Sequence, residues 1–377
     1  MANTDWERRL RTLTVAYTFV MLFFGVYIDL SDIYHSLDDI DYVLYITASF
    51  LITSVGCLKH VLLCLNKPRF MKLAMYMRAN FWDIEYDEDE EVYIESTRKS
   101  FTYVVAITCS CMVCIVLGYT CIPIYETVSG NASVRALPIR MWPVLGHSMY
   151  DTPYFEILFV MQALCCLQVG VTFISLDNFL ILVNTHVACQ FQILQHRFSN
   201  LFDTSSKLIG QSDYADKCYK DLKEYIRQHQ ALIEYCNRSE AVFSLNILSY
   251  VLVFSVGTCL SLYQALLGDV TIERRMCFMC YVGGILFQLV LITHSCGSLI
   301  TESMNIGPVV YATLWPALST NRSGRMLRRD VHMIILRSQK PCQLTAGGFF
   351  PVSLETSTKL VSTAVSYFTL LKQSSES

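Results

Sequence analysis

The residues of this chain whose type and spacing could carry chemistry are few, and each has a plainer reading beside it. Cys111 with Cys114 and Cys277 with Cys280 have the CxxC spacing of zinc or redox sites. Both pairs fall inside apolar stretches and offer no second pair to complete a tetrahedral site, so they read as small core residues. The acidic run from Asp83 to Glu91 lacks the ligand-spaced glycine turn of a calcium loop and is expected to be a solvated loop. Lys59, His60, Asp177, Glu355 and Lys359 lie within apolar stretches, where a charge is costly and marks function by default. Lys59 and His60 stand near the inner end of theirs, so snorkelling is expected, and Asp177 is also close to the inner face. Glu355 and Lys359 are one helical turn apart, where they either pair or face water. No HExxH, GxSxG or phosphate-loop pattern is present, so no enzyme activity, cofactor, metal or nucleic-acid partner is expected.

The elements that must position these residues are membrane helices. Of 377 residues, 53% are apolar or aromatic and only 16% charged, with a mean hydropathy of +0.39, more apolar surface than a soluble domain of this size could hide. The hydrophobicity gathers into seven blocks of the length that crosses roughly 30 Å of hydrocarbon: 13–30, 43–65, 103–124, 155–183, 242–267, 276–300 and 349–371. The first has basic residues before it, but its far end lacks a small-x-small cleavage pattern, so it is kept as a span. With the N-terminus inside, the cytoplasmic segments hold 22 Lys and Arg residues and the external ones 5, which places the N-terminus in the cytoplasm and the C-terminus outside. Asn131 then opens an external sequon and is the glycosylation candidate.

Residues 125–154, with Pro138, Trp142, Pro143 and Pro153, form the longest external connection and could fold back as a lid. Residues 184–240 show helical periodicity, for example Phe191, Leu194, Phe198 and Leu201, and are expected to extend spans four and five as amphipathic helices. In the outer halves of the spans, Tyr45, Ser49, Tyr119, Phe155, Phe159, Phe278 and Tyr281 either line an apolar pocket or anchor the membrane interface. A cavity made of these rings and hydroxyls has no buried charge of its own, so its ligand should be small, neutral and largely apolar. In the last span, Thr356, Lys359, Thr363, Ser366, Leu370 and Gln373 repeat at steps of three and four and share one helical face. That face is too hydrophilic for lipid and belongs either to a pore or to a buried interhelical interface.

Three stretches resemble insect odorant receptors: His186 to Phe198 (HVACQFQILQHRF), His229 to Ile233 (HQALI) and Arg337 to Gly347 (RSQKPCQLTAG). The final span, with Phe350 to Thr356 (FPVSLET) and Ser366 to Leu371 (SYFTLL), is similar to the C-terminal signature of the same family. The resemblance covers essentially the whole chain. It implies an all-α fold of seven helices with the inverted topology reached above from charge, in the plasma membrane of olfactory sensory neurons. It also implies a heterotetramer with the odorant receptor co-receptor, held by a cytoplasmic anchor, and a central non-selective cation pore opened by a small volatile or lipid-like odorant. The second cytoplasmic loop is much shorter than the co-receptor's, so the chain reads as the ligand-tuning subunit. The anchor is expected in 186–240 and 302–347, with Tyr311, Trp315, Leu327, Val331, Ile334 and Ile335 packed against neighbouring subunits or the last span. The resemblance aligns Leu370 with a hydrophobic gate and Gln373 with the polar residue one turn outward, which favours the pore. A gustatory-receptor-type channel shares the topology but ends in a different final-span pattern. A G-protein-coupled receptor needs an external N-terminus and an acidic-Arg-Tyr triplet closing span three, which is absent.

Overall fold

The computed structural model describes residues 5–82, 85–128, 135–139, 150–201, 212–268, 272–317 and 321–376. Asn131, Trp142 and Pro143 therefore lie outside the described residues. The chain is almost entirely helical: α1 (Asp5–His35), α2 (Ile40–Leu65), α3 (Lys67–Met77), α4 (Glu88–Val128), α5 (Tyr154–Asn200), α6 (Ser212–Leu266), α7 (Ile272–Tyr311), α8 (Arg322–Ser338) and α9 (Leu354–Glu376). Six of these, α1, α2, α4, α5, α6 and α7, carry windows apolar enough to cross a membrane, so this is an all-α membrane protein. α9 is long enough at 23 residues, about 35 Å, but its hydroxyl and charged residues set it apart from those six.

Local chemistry explains where the helices begin. Asp39 caps α2 by accepting from the Tyr42 amide at 3.1 Å, and Asn321 caps α8 by accepting from the Gly324 amide at 2.7 Å. Pro68 sits in the first turn of α3, where its missing N–H costs nothing. Glu88 to Glu91 occupy the first turn of α4, at the positive end of its dipole. The last helix starts at Leu354, not near 349 as the apolar block suggested. Before it, β1 (Thr345–Ala346) and β2 (Phe350–Pro351) form an antiparallel hairpin, closed by Gly347 and Gly348 at φ 61° and 80°. The Gly347 amide donates to the Ser244 carbonyl at 3.0 Å, and Thr345 hydrogen-bonds the Glu240 carboxylate, so α6 fixes the entry of α9.

At 47 and 55 residues, α5 and α6 are far longer than a bilayer requires and run on as the helical extensions that the periodicity predicts. α6 is central, with 67% of its apolar window buried against 6% for α4, which lies at the periphery. The main core runs from the half of the bundle expected to be cytoplasmic up to Tyr281 and Ile285 of α7, and is richest in rings at its cytoplasmic end. Phe70, Phe179 and Phe243, from α3, α5 and α6, meet there with ring centroids 5.5–6.2 Å apart.

Two expectations change in this half. The acidic run is not wholly solvated: Glu90 is buried and takes the Arg197 guanidinium bidentately at 2.6 and 2.8 Å, and this pairing holds its carboxyl below the usual range. The sequence hides this because the partner lies more than a hundred residues away. Leu327, Val331 and Ile334 are buried by the chain's own α6 and α7, not by the last span or a neighbour, because α8 lies flat on those two helices. Ile335 and Trp315 border the same core, with the Trp315 ring 5.1 Å from His332, while Tyr311 is exposed.

Candidate functional site

In the outer part of the bundle, α1, α2, α4, α5 and α7 enclose a cavity of about 160 Å³. Helical periodicity builds its walls. Ser49, Ile52 and Thr53 share a face of α2; Met112, Ile115 and Tyr119 a face of α4; Cys165, Val169 and Phe173 a face of α5; Tyr281, Ile285 and Gln288 a face of α7. Glycines let the walls approach closely where a side chain would not fit. A Cβ added at Gly25 would lie 2.8 Å from Cys165 Sγ, and one at Gly284 3.3 Å from Ile115 Cδ1. Ile139 of the external connection completes the wall. The Gln162 side chain pins it by accepting from the Ile139 amide and donating to its carbonyl, each at 3.0 Å.

Most polar groups around the chamber already have partners. Thr53 donates to the Ser49 carbonyl, Ser49 to Asp29 Oδ1 at 3.3 Å, and Thr108 pairs with Asn178. Among the side chains that line it, the Tyr281 hydroxyl and Gln288 Nε2 are buried with no hydrogen-bond partner among the described residues. A buried donor left unmade costs about 1–3 kcal/mol, so both are poised to gain from a guest with a polar group. Asp29 is fully buried directly behind Ser49, brought there by the packing of α1 on α2.

A second, smaller cavity of about 20 Å³ adjoins the first toward the outer end and shares Tyr119 with it. Tyr45, Pro138, Arg274 and Phe278 line it, with the Tyr45 and Phe278 rings edge-to-face at 5.5 Å. Arg274 closes its rim through a bidentate pair with Glu126 at 2.7 and 2.9 Å, joining α7 to α4.

The pocket residues singled out in the sequence thus separate into three groups. Ser49, Tyr119 and Tyr281 line the main cavity, and Tyr45 and Phe278 line the smaller one with Tyr119. Phe155 and Phe159 line neither. They pack on each other at 6.1 Å, with the Arg135 guanidinium over Phe155 at 5.3 Å. The α5 wall and Gln288 were missed. A face of small and apolar residues at four-residue steps, Cys165, Val169 and Phe173 beside Gly170, is the only local signal for it.

Below the cavity floor, the snorkelling expected of Lys59 gives way to a pairing with Asp177. They are fully buried and form an ion pair, with Nζ 2.8 and 2.9 Å from the two carboxylate oxygens. In the last helix, Lys359, Thr363, Ser366, Leu370 and Gln373 are exposed and Thr356 is half-buried, while Ser357 and Ala364 are buried on the opposite side. The polar stripe therefore faces away from the rest of its own chain. Lys359 pairs with Glu355 at 2.7 Å on this exposed surface. Among the described residues no cluster of three or more His, Cys, Asp or Glu could hold a metal, and all sixteen cysteines are free.

Residues 42–365 match the family model described as 7tm Odorant receptor. Among curated proteins, the chain is similar to odorant receptor 13a of Drosophila melanogaster, 26% identical over 350 residues, covering 89% of this chain and 82% of that one. It is also 24% identical over 356 residues to odorant receptor 30a of the same species, covering 91% and 86%. Among solved structures, the olfactory receptor OR5 of the insect Machilis hrabei in complex with eugenol superposes with a TM-score of 0.83 at 15% identity, over 99% of this chain and 92% of that one.

Proposed function

Since this chain belongs to the 7tm odorant receptor family, we propose that it is the ligand-tuning subunit of an odorant-gated cation channel. It works with the odorant receptor co-receptor and takes its odorant in the cavity between α1, α2, α4, α5 and α7. The observation that carries this reading is the chamber itself: apolar walls with two unpartnered hydrogen-bonding groups, Tyr281 and Gln288, on one face of α7. An apolar cavity of about 150 Å³ is enough to hold benzene, so a chamber of about 160 Å³ suits one small ring or short chain. The Machilis hrabei receptor of the same fold is in complex with eugenol. The ligand is neutral and largely apolar, with a polar group to meet α7.

The test is to record currents from cells expressing this chain with and without the co-receptor while applying volatile compounds. Currents beyond those of the co-receptor alone are expected only with both. Truncating Tyr281 to Ala removes a buried ring worth about 1.5–3 kcal/mol, so half-maximal concentrations should move roughly 10- to 100-fold. The response to a direct co-receptor agonist should stay intact; equal loss of both responses would assign Tyr281 to folding.

The pore belongs to α9, whose polar stripe is turned away from its own subunit. The 61% exposure of Leu370 in the single chain supports a role in which it meets its counterparts in an assembly, where a ring of such residues can close a narrow pore by dewetting. Leu370→Ser should raise basal conductance. Gln373→Glu and Gln373→Lys should shift ionic selectivity in opposite directions. Parent-like conduction in all three, with surface delivery intact, would remove α9 of this subunit from the pore.

A further inference from the structure

Lys59 of α2 and Asp177 of α5 are 118 positions apart in sequence, and their side chains are 0% and 1% exposed. The Lys59 ammonium is satisfied on every side. Besides the two carboxylate oxygens it donates to the Phe173 carbonyl at 3.3 Å, and it lies 4.1 Å from the Phe173 ring centre and 5.3 Å from that of Tyr250. Asp177 Oδ1 also accepts from Asn246 Nδ2 at 3.4 Å. Tyr250, next to this group on α6, donates its hydroxyl to the Ile285 carbonyl of α7 at 3.0 Å.

Burial alone does not explain such a pair, because two apolar side chains of similar volume commonly hold a core as well or better. What an ion pair adds is register, since only one arrangement of α2, α5 and α6 satisfies it. The position of the pair decides what that register controls. Phe173, held by Lys59 through both ring and carbonyl, is part of the cavity wall, and so is Ile285, held by Tyr250. Asn246 and Tyr250 sit on α6, the helix that packs along α9 and, through the Gly347 amide and Thr345, fixes the hairpin that starts it.

We propose that the buried Lys59–Asp177 pair, with Phe173, Asn246 and Tyr250, is the positioning element that ties the floor of the odorant cavity to α6 and through it sets the gating equilibrium of α9. The inference rests on the reading of the chain as a channel subunit. A guest that displaces Phe173 or Ile285 shifts groups bonded to this cluster. Because α6 carries two members of the cluster and contacts α9, the two arrangements of the cavity correspond to two arrangements of the pore helix.

The experiment needs no identified odorant. Lys59→Met and Asp177→Leu are made together, so that no lone charge is left buried, and the variant is expressed with the co-receptor. Basal current is divided by the maximal current evoked by a direct co-receptor agonist, which normalises for surface delivery. The ratio should change by about fivefold or more. Tyr250→Phe keeps the ring and removes only the tie to Ile285, and should shift the same ratio by about twofold or more. Combined, the three substitutions should give less than the product of the separate effects, since both act on one cluster.

Unchanged ratios in the Lys59→Met/Asp177→Leu variant, or an exact product in the combined one, would leave the pair a structural cross-brace and overturn the proposal. If the paired variant does not reach the surface, Tyr250→Phe carries the test alone, and a parent-like ratio there overturns it too. Currents indistinguishable from the co-receptor alone with the parent chain would instead remove the channel reading beneath it.

Discussion

Asp177→Ala, with Lys59 left in place, is expected to yield almost no folded protein at the cell surface. The substitution strands an ammonium that is 0% exposed, with only the Phe173 carbonyl and two rings around it. Breaking a buried ion pair from one side costs about 3–5 kcal/mol, against a total stability of about 5–15 kcal/mol for a typical domain. Lys59→Met should cost a similar amount, leaving the carboxylate with only the long Asn246 contact. Replacing both partners by apolar residues removes the stranded charge, so the Lys59→Met/Asp177→Leu variant should recover much of the loss. The measurement is the surface-labelled fraction and the thermal midpoint of the detergent-extracted protein for the two single variants and the pair. Single variants that match the parent in both would mean that water reaches Lys59 and that the pair is not buried in the membrane-embedded protein.

The second large effect is steric. Gly284→Leu places a Cβ 3.3 Å from Ile115 Cδ1, a side-chain end that can give by a few tenths of an ångström, at a position in the wall of a chamber of about 160 Å³. The rest of the leucine has nowhere to go but the space a guest occupies. Losing the burial of one ring or short chain forfeits about 1.5–3 kcal/mol, so the half-maximal odorant concentration should rise roughly 10- to 100-fold. Gly283 supplies the control. A Cβ there meets nothing within 4 Å and the residue is exposed, so Gly283→Leu should leave the response near the parent's while sharing any general effect of removing a helix glycine. Concentration–response curves for the two variants, each normalised to a direct co-receptor agonist, separate the outcomes. Equal, small shifts in both would place the odorant elsewhere.

The buried pair and the cavity wall belong to a molecule whose features differ in how far the linear sequence exposes them. Membrane class was open to reading because it depends on the sum of transfer energies over about 20 consecutive residues, a local quantity. The same holds for the extensions of α5 and α6, whose apolar residues recur at helical steps. The final helix was legible in its polar face but not in its start. The hydropathy of Phe349 to Val352 matches a span, yet the two positive-φ glycines and Pro351 turn that stretch into a hairpin.

Hydropathy, helical periodicity and motif resemblance were enough to recognise an all-α membrane protein, the residues that share each helical face, and membership of the odorant receptor family. Which faces meet emerged only from the packing of the helices. Tyr119 and Tyr281 border the main cavity and Phe155 does not, although all three are aromatic residues in the outer parts of spans. Leu327, Val331 and Ile334 are spent on the chain's own core rather than on a neighbour. Lys59 finds Asp177, and Glu90 finds Arg197, across more than a hundred residues. The physical reason is that periodicity and hydropathy are sums over neighbours along the chain. A cavity or a buried ion pair is instead a coincidence of side chains from different helices, set by crossing angles and close contacts such as that of Gly25 with Cys165. A lysine near the end of an apolar block looks the same whether it reaches for water or for a carboxylate. The choice is made by the helix that packs beside it.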